Sequence, residues 1–239
     1  MKTVESCEQP DREAKRADAP NPWNAQRAAL WLTRLLILQM IVGTLVNYRN
    51  YFPPNFQSDF LLGRKPDFAG PYQWAFYAHI VSGPLTLALG LILSSNAARR
   101  RSPRLHRKLG TFQVLCVLLI LVPSGLYMAP YAATGNIAAS GFAALALTTG
   151  WCTLQGWRLA VQHRIEAHRR WMLRSYVLLC SALVLRLIAG LAEFAGATWT
   201  YPLAAWVSWL LPLGILELIL ALTARRRPAP QSSSSLDHV

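Results

Sequence analysis

The stretch FQVLCVLLILVPSGLYMAPY, residues 112–131, contains no charged side chain. A helix of roughly 20 apolar residues is long enough to cross the hydrocarbon core of a bilayer. Five further stretches of similar length and composition lie at residues 28–47, 74–95, 138–159, 171–194 and 203–222. The sequence therefore predicts an all-α, polytopic membrane protein with six transmembrane helices within residues 28–222. The flanking tails, 1–27 and 223–239, are polar and predicted to be disordered.

The composition agrees with a membrane protein. The 239-residue chain is 53% hydrophobic and 15% charged, with a net charge of +13. Soluble domains contain about 25% charged residues, so an ordinary soluble domain is excluded. A nucleic-acid-binding protein would carry its basic residues on a folded polar domain, and six spans leave no room for one. The predicted partner is the lipid bilayer, and no nucleic-acid partner is expected.

The basic residues indicate the orientation of the chain. Of the 24 Lys and Arg residues, 18 lie in the two tails and in the second and fourth connections, if Arg158 at the end of the fourth span is counted with the fourth connection. The first connection has three (Arg49, Arg64 and Lys65), and the third and fifth have none. Short connections rich in Lys and Arg face the cytoplasm. We therefore predict that both tails are cytoplasmic, in a multi-pass protein of a bacterial inner membrane.

The second and fourth spans resemble each other, with GPLTLALG at residues 83–90 and GFAALALTTG at residues 141–150. Each leads into a basic loop that ends in a His-Arg pair, at His106 or at His168. The two pairs of spans cross the membrane in the same order, as parallel repeats do. The pattern predicts a four-helix core, spans two to five, built from two helix-pair repeats with spans one and six at the periphery. The alternative is a chance similarity between Leu- and Ala-rich helices.

Four side chains form a predicted polar cluster toward the outer side. Ionisable residues within spans cost about 2.5–3.5 kcal/mol on insertion scales, so they are expected to face a partner or a cavity. His79 and Arg186 fall at similar depth, Glu193 follows on the same helix face as Arg186, and Tyr127 ends the third span. We predict that they line a ligand cavity. The alternative is an Arg186–Glu193 pair, with His79 hydrogen-bonded in ordinary packing.

A second predicted cluster lies on the cytoplasmic side, where His106 and His168 open the third and fifth spans. Arg174 lies about 4.5 Å beyond Trp171 into the bilayer, at 1.5 Å per residue. Basic pockets on this side of a membrane bind anionic lipids. His168 and Arg174 are therefore predicted to bind an anionic head group or a haem propionate.

Two further charged residues lie inside the spans. Arg34 is in the inner half of the first span, and Glu217 is deep in the sixth. They pair with each other if spans one and six are neighbours. Otherwise Glu217 is protonated or belongs to a proton path.

Four short motifs suggest a family. They are HIVSGPLTL at residues 79–87, RLHRKLG at 104–110, HRRWMLRSY at 168–176 and LRL at 185–187. In this order they resemble the bacterial membrane-protein family called domain of unknown function 2306, over about residues 74–190. The resemblance implies a multi-span inner-membrane protein of unassigned activity. It singles out as motif positions His79, His106, His168, Arg174 and Arg186.

A looser similarity is to six-span b-type cytochromes, in which histidines inside a four-helix core bind haem. It implies one haem on the cytoplasmic side, held by His106 and His168 with Arg174 near its propionates. Two-haem cytochromes need four histidines at two depths, and the only candidate on the outer side is His79. At most one bis-His haem is therefore expected.

The sequence leaves three functions open. The first is transport or binding of a small solute or lipid, indicated by the repeat, the bend expected at Gly83 and Pro84, and the outer cluster. The alternatives are a redox protein linked to b-type haem or quinone, and a structural or assembly protein. No Gly-rich phosphate loop, Gly-x-Ser-x-Gly elbow or His-Glu-x-x-His zinc motif is present, which argues against hydrolases and kinases.

Overall fold

A computed structural model describes residues 22–58, 61–133, 135–197 and 200–225. Over these residues the chain forms helices joined by turns, without a β-strand. Six helical stretches are long and apolar enough to cross a membrane. The predicted all-α, polytopic architecture is therefore confirmed. The outer side of the protein is defined as the side of the first, third and fifth connections.

The helix boundaries explain how each span is built. The α-helices of the described residues are α1 (Pro22–Asn47), α2 (Gly70–Leu93), α3 (Asn96–Arg101), α4 (Pro103–Cys116), α5 (Val122–Met128), α6 (Asn136–Val161), α7 (Ile165–Leu179), α8 (Ser181–Phe194) and α9 (Tyr201–Arg225). Spans one, two, four and six are the single helices α1, α2, α6 and α9. Span three contains α4 and α5, and span five contains α7 and α8.

The tails differ in part from the prediction. Helix α1 begins at Pro22, so residues 22–27 belong to a helix and not to the amino-terminal tail. Helix α9 continues to Arg225, beyond the predicted end of the sixth span at Leu222. The rest of the predicted disordered tails, residues 1–21 and 226–239, lies outside the described residues, and their disorder stays a prediction.

Spans three and five are irregular near their middle. In span three a π-helical turn, Val117–Leu121, joins α4 to α5, and the N–H of Val122 donates to the carbonyl of Val117. Pro123 comes next, and proline has no N–H with which to continue the regular pattern. In span five, Cys180 has a ψ of −5°, far from the usual helical value near −42°. Spans bend at such points.

Spans two to five form a closed ring in which each span contacts the next. This arrangement agrees with the predicted four-helix core, whereas the internal repeat stays a prediction. Span six packs against spans four and five, and its Trp209 is buried together with Cys152 and Leu178. It is therefore less peripheral than expected. Span one is the least buried of the six and contacts span two and α8.

Glycines allow close helix crossings around span five. A Cβ atom at Gly90 of span two would lie 2.2 Å from the ring of Tyr176. A Cβ atom at Gly156 of span four would lie 2.5 Å from the sulfur of Met172. Gly83, on the same face of span two as Gly90, has nothing within 4 Å of its Cβ position. Only one of these two glycines therefore serves a helix contact.

The connection between spans one and two folds over the outer end of span two. It contributes Leu61 and Phe68 to a buried cluster with Tyr72 and Phe76 of α2. The ring centroids of Phe68 and Phe76 lie 5.2 Å apart in an edge-to-face arrangement, which is a favourable geometry for aromatic pairs. These contacts hold the described part of the connection against the outer ends of the spans.

Candidate functional site

A cavity of about 470 Å³ lies among the six spans, and every span contributes to its wall. Along span two its lining runs from Tyr72 to Leu87, a distance of about 22 Å at 1.5 Å per residue. The cavity therefore extends from the outer end of the spans toward their middle. Small-molecule pockets enclose about 300–1,000 Å³, so the volume suits a small ligand.

The wall of the cavity is mostly apolar, and the charged side chains on it are positive. Its inner part is lined largely by aliphatic side chains, among them Leu87, Leu121 and Leu179. Arginine supplies two charged groups, Arg64 and Arg186, and no Asp or Glu is found among the lining residues that the structure describes. The cavity is therefore suited electrostatically to a ligand with a negative group.

His79 lines the cavity and is held by span three. Its Nδ1 lies 3.3 Å from the hydroxyl oxygen of Ser124, which itself donates to the carbonyl of Ile120 at 2.6 Å. The tautomer of the imidazole decides which of these two atoms donates. Gly125 leaves room for the imidazole, since a Cβ atom there would lie 3.3 Å from Cε1 of His79.

Arg186 lines the same cavity from α8. It lies eight residues before Phe194, the outer end of its helix, which corresponds to about 12 Å. His79 lies nine residues after Gly70, or about 13 Å, so the two side chains are at similar depth. Across the described ranges, Arg186 forms no hydrogen bond or ion pair. Arg186 is therefore a charged residue inside a span, and its guanidinium is available to a ligand.

Arg64 stands at the mouth of the cavity. Its Nη1 donates to the hydroxyl of Tyr72 at 3.0 Å and to the carbonyl of Tyr131 at 2.9 Å. The rings of these tyrosines lie 4.6 Å apart. The arginine thus ties the first connection to spans two and three. From the sequence, Arg64 is predictable only as part of an outer connection, because no local pattern shows that this connection folds back over the spans.

The other two residues of the predicted outer cluster lie elsewhere. The ring of Tyr127 stacks on Tyr131 at 6.2 Å and does not line the cavity. Glu193 lines a separate, smaller cavity beside Tyr201, and within the described ranges it forms no ion pair with Arg186. The seven residues between Arg186 and Glu193 span about 10 Å along α8. The structure therefore brings together His79 and Arg186 but neither Tyr127 nor Glu193.

On the side opposite the outer side, Arg174 forms a two-pronged ion pair with Glu217. The Nε–Oε1 distance is 2.5 Å and the Nη2–Oε2 distance is 2.8 Å. The guanidinium also lies over the ring of Trp171, 4.9 Å from its centroid. Of the two alternatives for Glu217, the pairing with Arg34 is not formed, because within the described residues span six packs against spans four and five and not against span one. Arg34 instead lies over the ring of Trp31, at 5.2 Å.

This ion pair also bears on the predicted role of Arg174. An anionic head group or propionate was expected to bind its guanidinium, but Glu217 already occupies two of its donor groups. The side chain of Arg174 is 20% exposed and that of Glu217 is 46% exposed. Arg174 therefore joins spans five and six, and a lipid contact is not needed to balance its charge.

The two histidines that open spans three and five, His106 and His168, are held differently. His168 Nδ1 lies 2.7 Å from the carbonyl oxygen of Gly156, which fixes its ring between spans four and five. Nδ1 of His106 is buried and has no hydrogen-bond partner within the part of the chain that the structure describes. Neither histidine lines the central cavity. Haem binding by this pair stays a prediction.

The spans that build the cavity also match a known family. A family model described as "Predicted membrane protein (DUF2306)" matches residues 76–220, more than half of the chain. The chain belongs to this family. The resemblance inferred from the four motifs is thereby confirmed, while the looser similarity to cytochromes gains no support. No curated protein and no solved structure matches the chain.

The DUF2306 match contains all five motif positions but only part of the cavity wall. His79, Arg186 and Ser208 lie within residues 76–220, whereas Arg64 and Tyr72 precede them. Ser208 is 1% exposed and lines the cavity, yet its hydroxyl has no hydrogen-bond partner among the described residues. Ser208 is not predictable from the sequence as a lining residue, because a serine in an apolar helix usually bonds to its own backbone.

Proposed function

We propose that this DUF2306 protein binds a small solute or lipid in the central cavity and transports it through the membrane. The observation that carries the proposal is Arg186, a cation that lines an apolar cavity without a partner among the described residues. An ionisable residue inside a membrane is costly and is by default functional. The cavity volume of about 470 Å³ and its lining from six spans suit the enclosure of a small molecule.

The irregular points of the spans support movement as well as binding. The break in span five lies between Leu179 and Ser181, and both line the cavity. The π-helical turn of span three ends at Leu121, and Pro84 of span two is inside α2; both residues also line it. Transporters place discontinuous helices at binding sites near the membrane midplane, where they act as gates.

We assign the mouth of the cavity to the non-cytoplasmic side of a bacterial inner membrane, with both termini in the cytoplasm. The support is the concentration of Lys and Arg in the tails and in the second and fourth connections. The same residues would contact anionic lipid head groups. In a cysteine-free background, a membrane-impermeant maleimide should label Gln57→Cys in intact cells but not Gln162→Cys. The reverse pattern would overturn this orientation.

The proposal is tested by filling the cavity. Ala146 lines it opposite Gly125, where a Cβ atom would be 3.8 Å from that of Ala146. Ala146→Phe should therefore exclude a ligand, whereas Ala221→Phe, on the exposed face of span six, adds the same ring outside the cavity. Ala182→Leu, at a second lining position, replaces Ala146→Phe as the cavity-filling variant if Ala146→Phe does not fold.

Binding is measured by native mass spectrometry after incubation with a bacterial polar lipid extract. The unsubstituted protein and Ala221→Phe should retain a bound molecule, and the cavity variants should lose it. Equal retention by a folded cavity variant, or no retention by the unsubstituted protein, would contradict binding in this cavity.

A further inference from the structure

We infer that the ligand is an amphipathic anion, a single apolar chain that ends in a carboxylate or phosphate, with its oxyanion paired to Arg186. This inference rests on the proposed function and names the class of molecule bound. Three features of the cavity support it, namely its charge, the depth of its polar groups and the character of its inner wall.

The charge of the wall selects for an anion. The Nη1 group of Arg64 is used by Tyr72 and Tyr131, whereas the described residues offer no partner to Arg186. A guanidinium presents paired N–H groups that match a carboxylate or phosphate in two parallel bonds. A neutral ligand would leave this charge unpaired, and a cation would meet only positive charge among the described lining residues.

Two ionisable groups and one hydroxyl-bearing residue line the cavity at similar distances from the outer ends of their helices. Arg186 and His79 are about 12 and 13 Å from those ends, and Ser208 lies seven residues after Tyr201, or about 10 Å. The hydroxyl oxygen of Ser208 is buried and exposes almost no surface to the cavity. The head group of the ligand is therefore assigned to Arg186 and His79.

The chain of the ligand extends inward from this level. Beyond Arg186 and His79 the wall consists mainly of aliphatic side chains, such as Leu87, Leu178 and Leu179. Burial of apolar surface is favourable for each methylene group added, so a chain is favoured there over a second polar group.

The test uses four molecules with the same 12-carbon chain and different head groups: dodecanoate, dodecyl phosphate, dodecanol and dodecyltrimethylammonium. Each is added below its micelle concentration, and bound molecules are counted by native mass spectrometry. We expect at least tenfold tighter binding of the two anions than of dodecanol, and the weakest binding for the ammonium compound. The tighter of the two anions identifies the head group as carboxylate or phosphate.

Arg186→Gln should remove the preference by weakening the anions at least tenfold while leaving dodecanol unchanged. Arg34→Gln is the matched control, because Arg34 also lies in a span but not on the cavity wall. Arg186→Gln deletes an unpaired charge from a span, so folding should not suffer. Arg186→Leu is the second variant and should weaken the anions to the same extent.

The outcomes separate this inference from the proposed function. Equal binding of all four molecules, or an anion preference that survives in Arg186→Gln, overturns the inference while binding in the cavity stands. Binding that Ala146→Phe does not affect removes the proposed function itself. An anion preference lost in both Arg186→Gln and Arg34→Gln would indicate a general charge effect and would also overturn the inference.

Discussion

Replacing Gly90 by alanine tests the crossing of spans two and five. The added Cβ atom would lie 2.2 and 2.3 Å from two ring carbons of Tyr176, and ordinary contact begins at 3.4 Å. The ring must therefore move by about 1.2 Å, the difference between these distances. It is packed against the buried cluster of Leu87, Val117 and Leu179, which resists such a shift. Overpacking of this kind costs about 1–3 kcal/mol.

Gly83→Ala is the matched control on the same span. Both substitutions gain about 1 kcal/mol from the higher helix propensity of alanine, but nothing lies within 4 Å of the Cβ position at Gly83. The propensity term cancels between the two variants, so Gly90→Ala should be less stable than Gly83→Ala by about 1–3 kcal/mol. The large displacement required of Tyr176 favours the upper half of this range.

The free energy of unfolding is measured by dodecyl sulfate titration in mixed micelles, monitored by tryptophan fluorescence. In a Tyr176→Ala background the difference between the two glycine variants should disappear, because the colliding ring is absent. Equal stabilities of Gly90→Ala and Gly83→Ala with Tyr176 in place would refute the packing of these spans. A difference that persists without the ring would refute the assignment of its cause.

Two further predictions concern polar groups. Arg174→Leu and Glu217→Leu should each destabilise the protein. The double variant should be more stable than the sum of the two losses predicts, with a coupling of about 1.5–3 kcal/mol for charge-assisted hydrogen bonds. Additive losses in the same titration would contradict the ion pair. Ser208→Ala should leave the unfolding free energy unchanged or raise it, since it removes a buried hydroxyl without a partner in the described residues; a loss above about 1 kcal/mol would show that the hydroxyl is bonded.

Hydropathy was sufficient to predict the spans, and four short motifs were sufficient to predict the family. An apolar run such as residues 112–131 has to be a helix in a bilayer, because its backbone groups find no water to bond with. The equal depth of His79 and Arg186 was also predictable, since depth depends only on the residue count from the end of a span. These properties are local, and they need no knowledge of which helices are neighbours.

The partners of the polar side chains were decided by tertiary structure alone. Glu217 pairs with Arg174 and not with Arg34 because span six packs on span five. Glu193 and Tyr127 are absent from the cavity wall, while Ser208 is on it. Each outcome depends on the order and rotation of the spans around the ring, and hydropathy contains no information about either.

The glycines of span two show the same contrast between what the sequence predicts and what the tertiary structure decides. The sequence places Gly83 and Gly90 on one helix face, and both suit close packing. Only Gly90 meets a neighbouring side chain, because span five crosses span two at that level, whereas Gly83 borders the cavity. The sequence by itself determined that this chain crosses a membrane as helices. The crossings of those helices decided where it is packed and where it is open to a ligand.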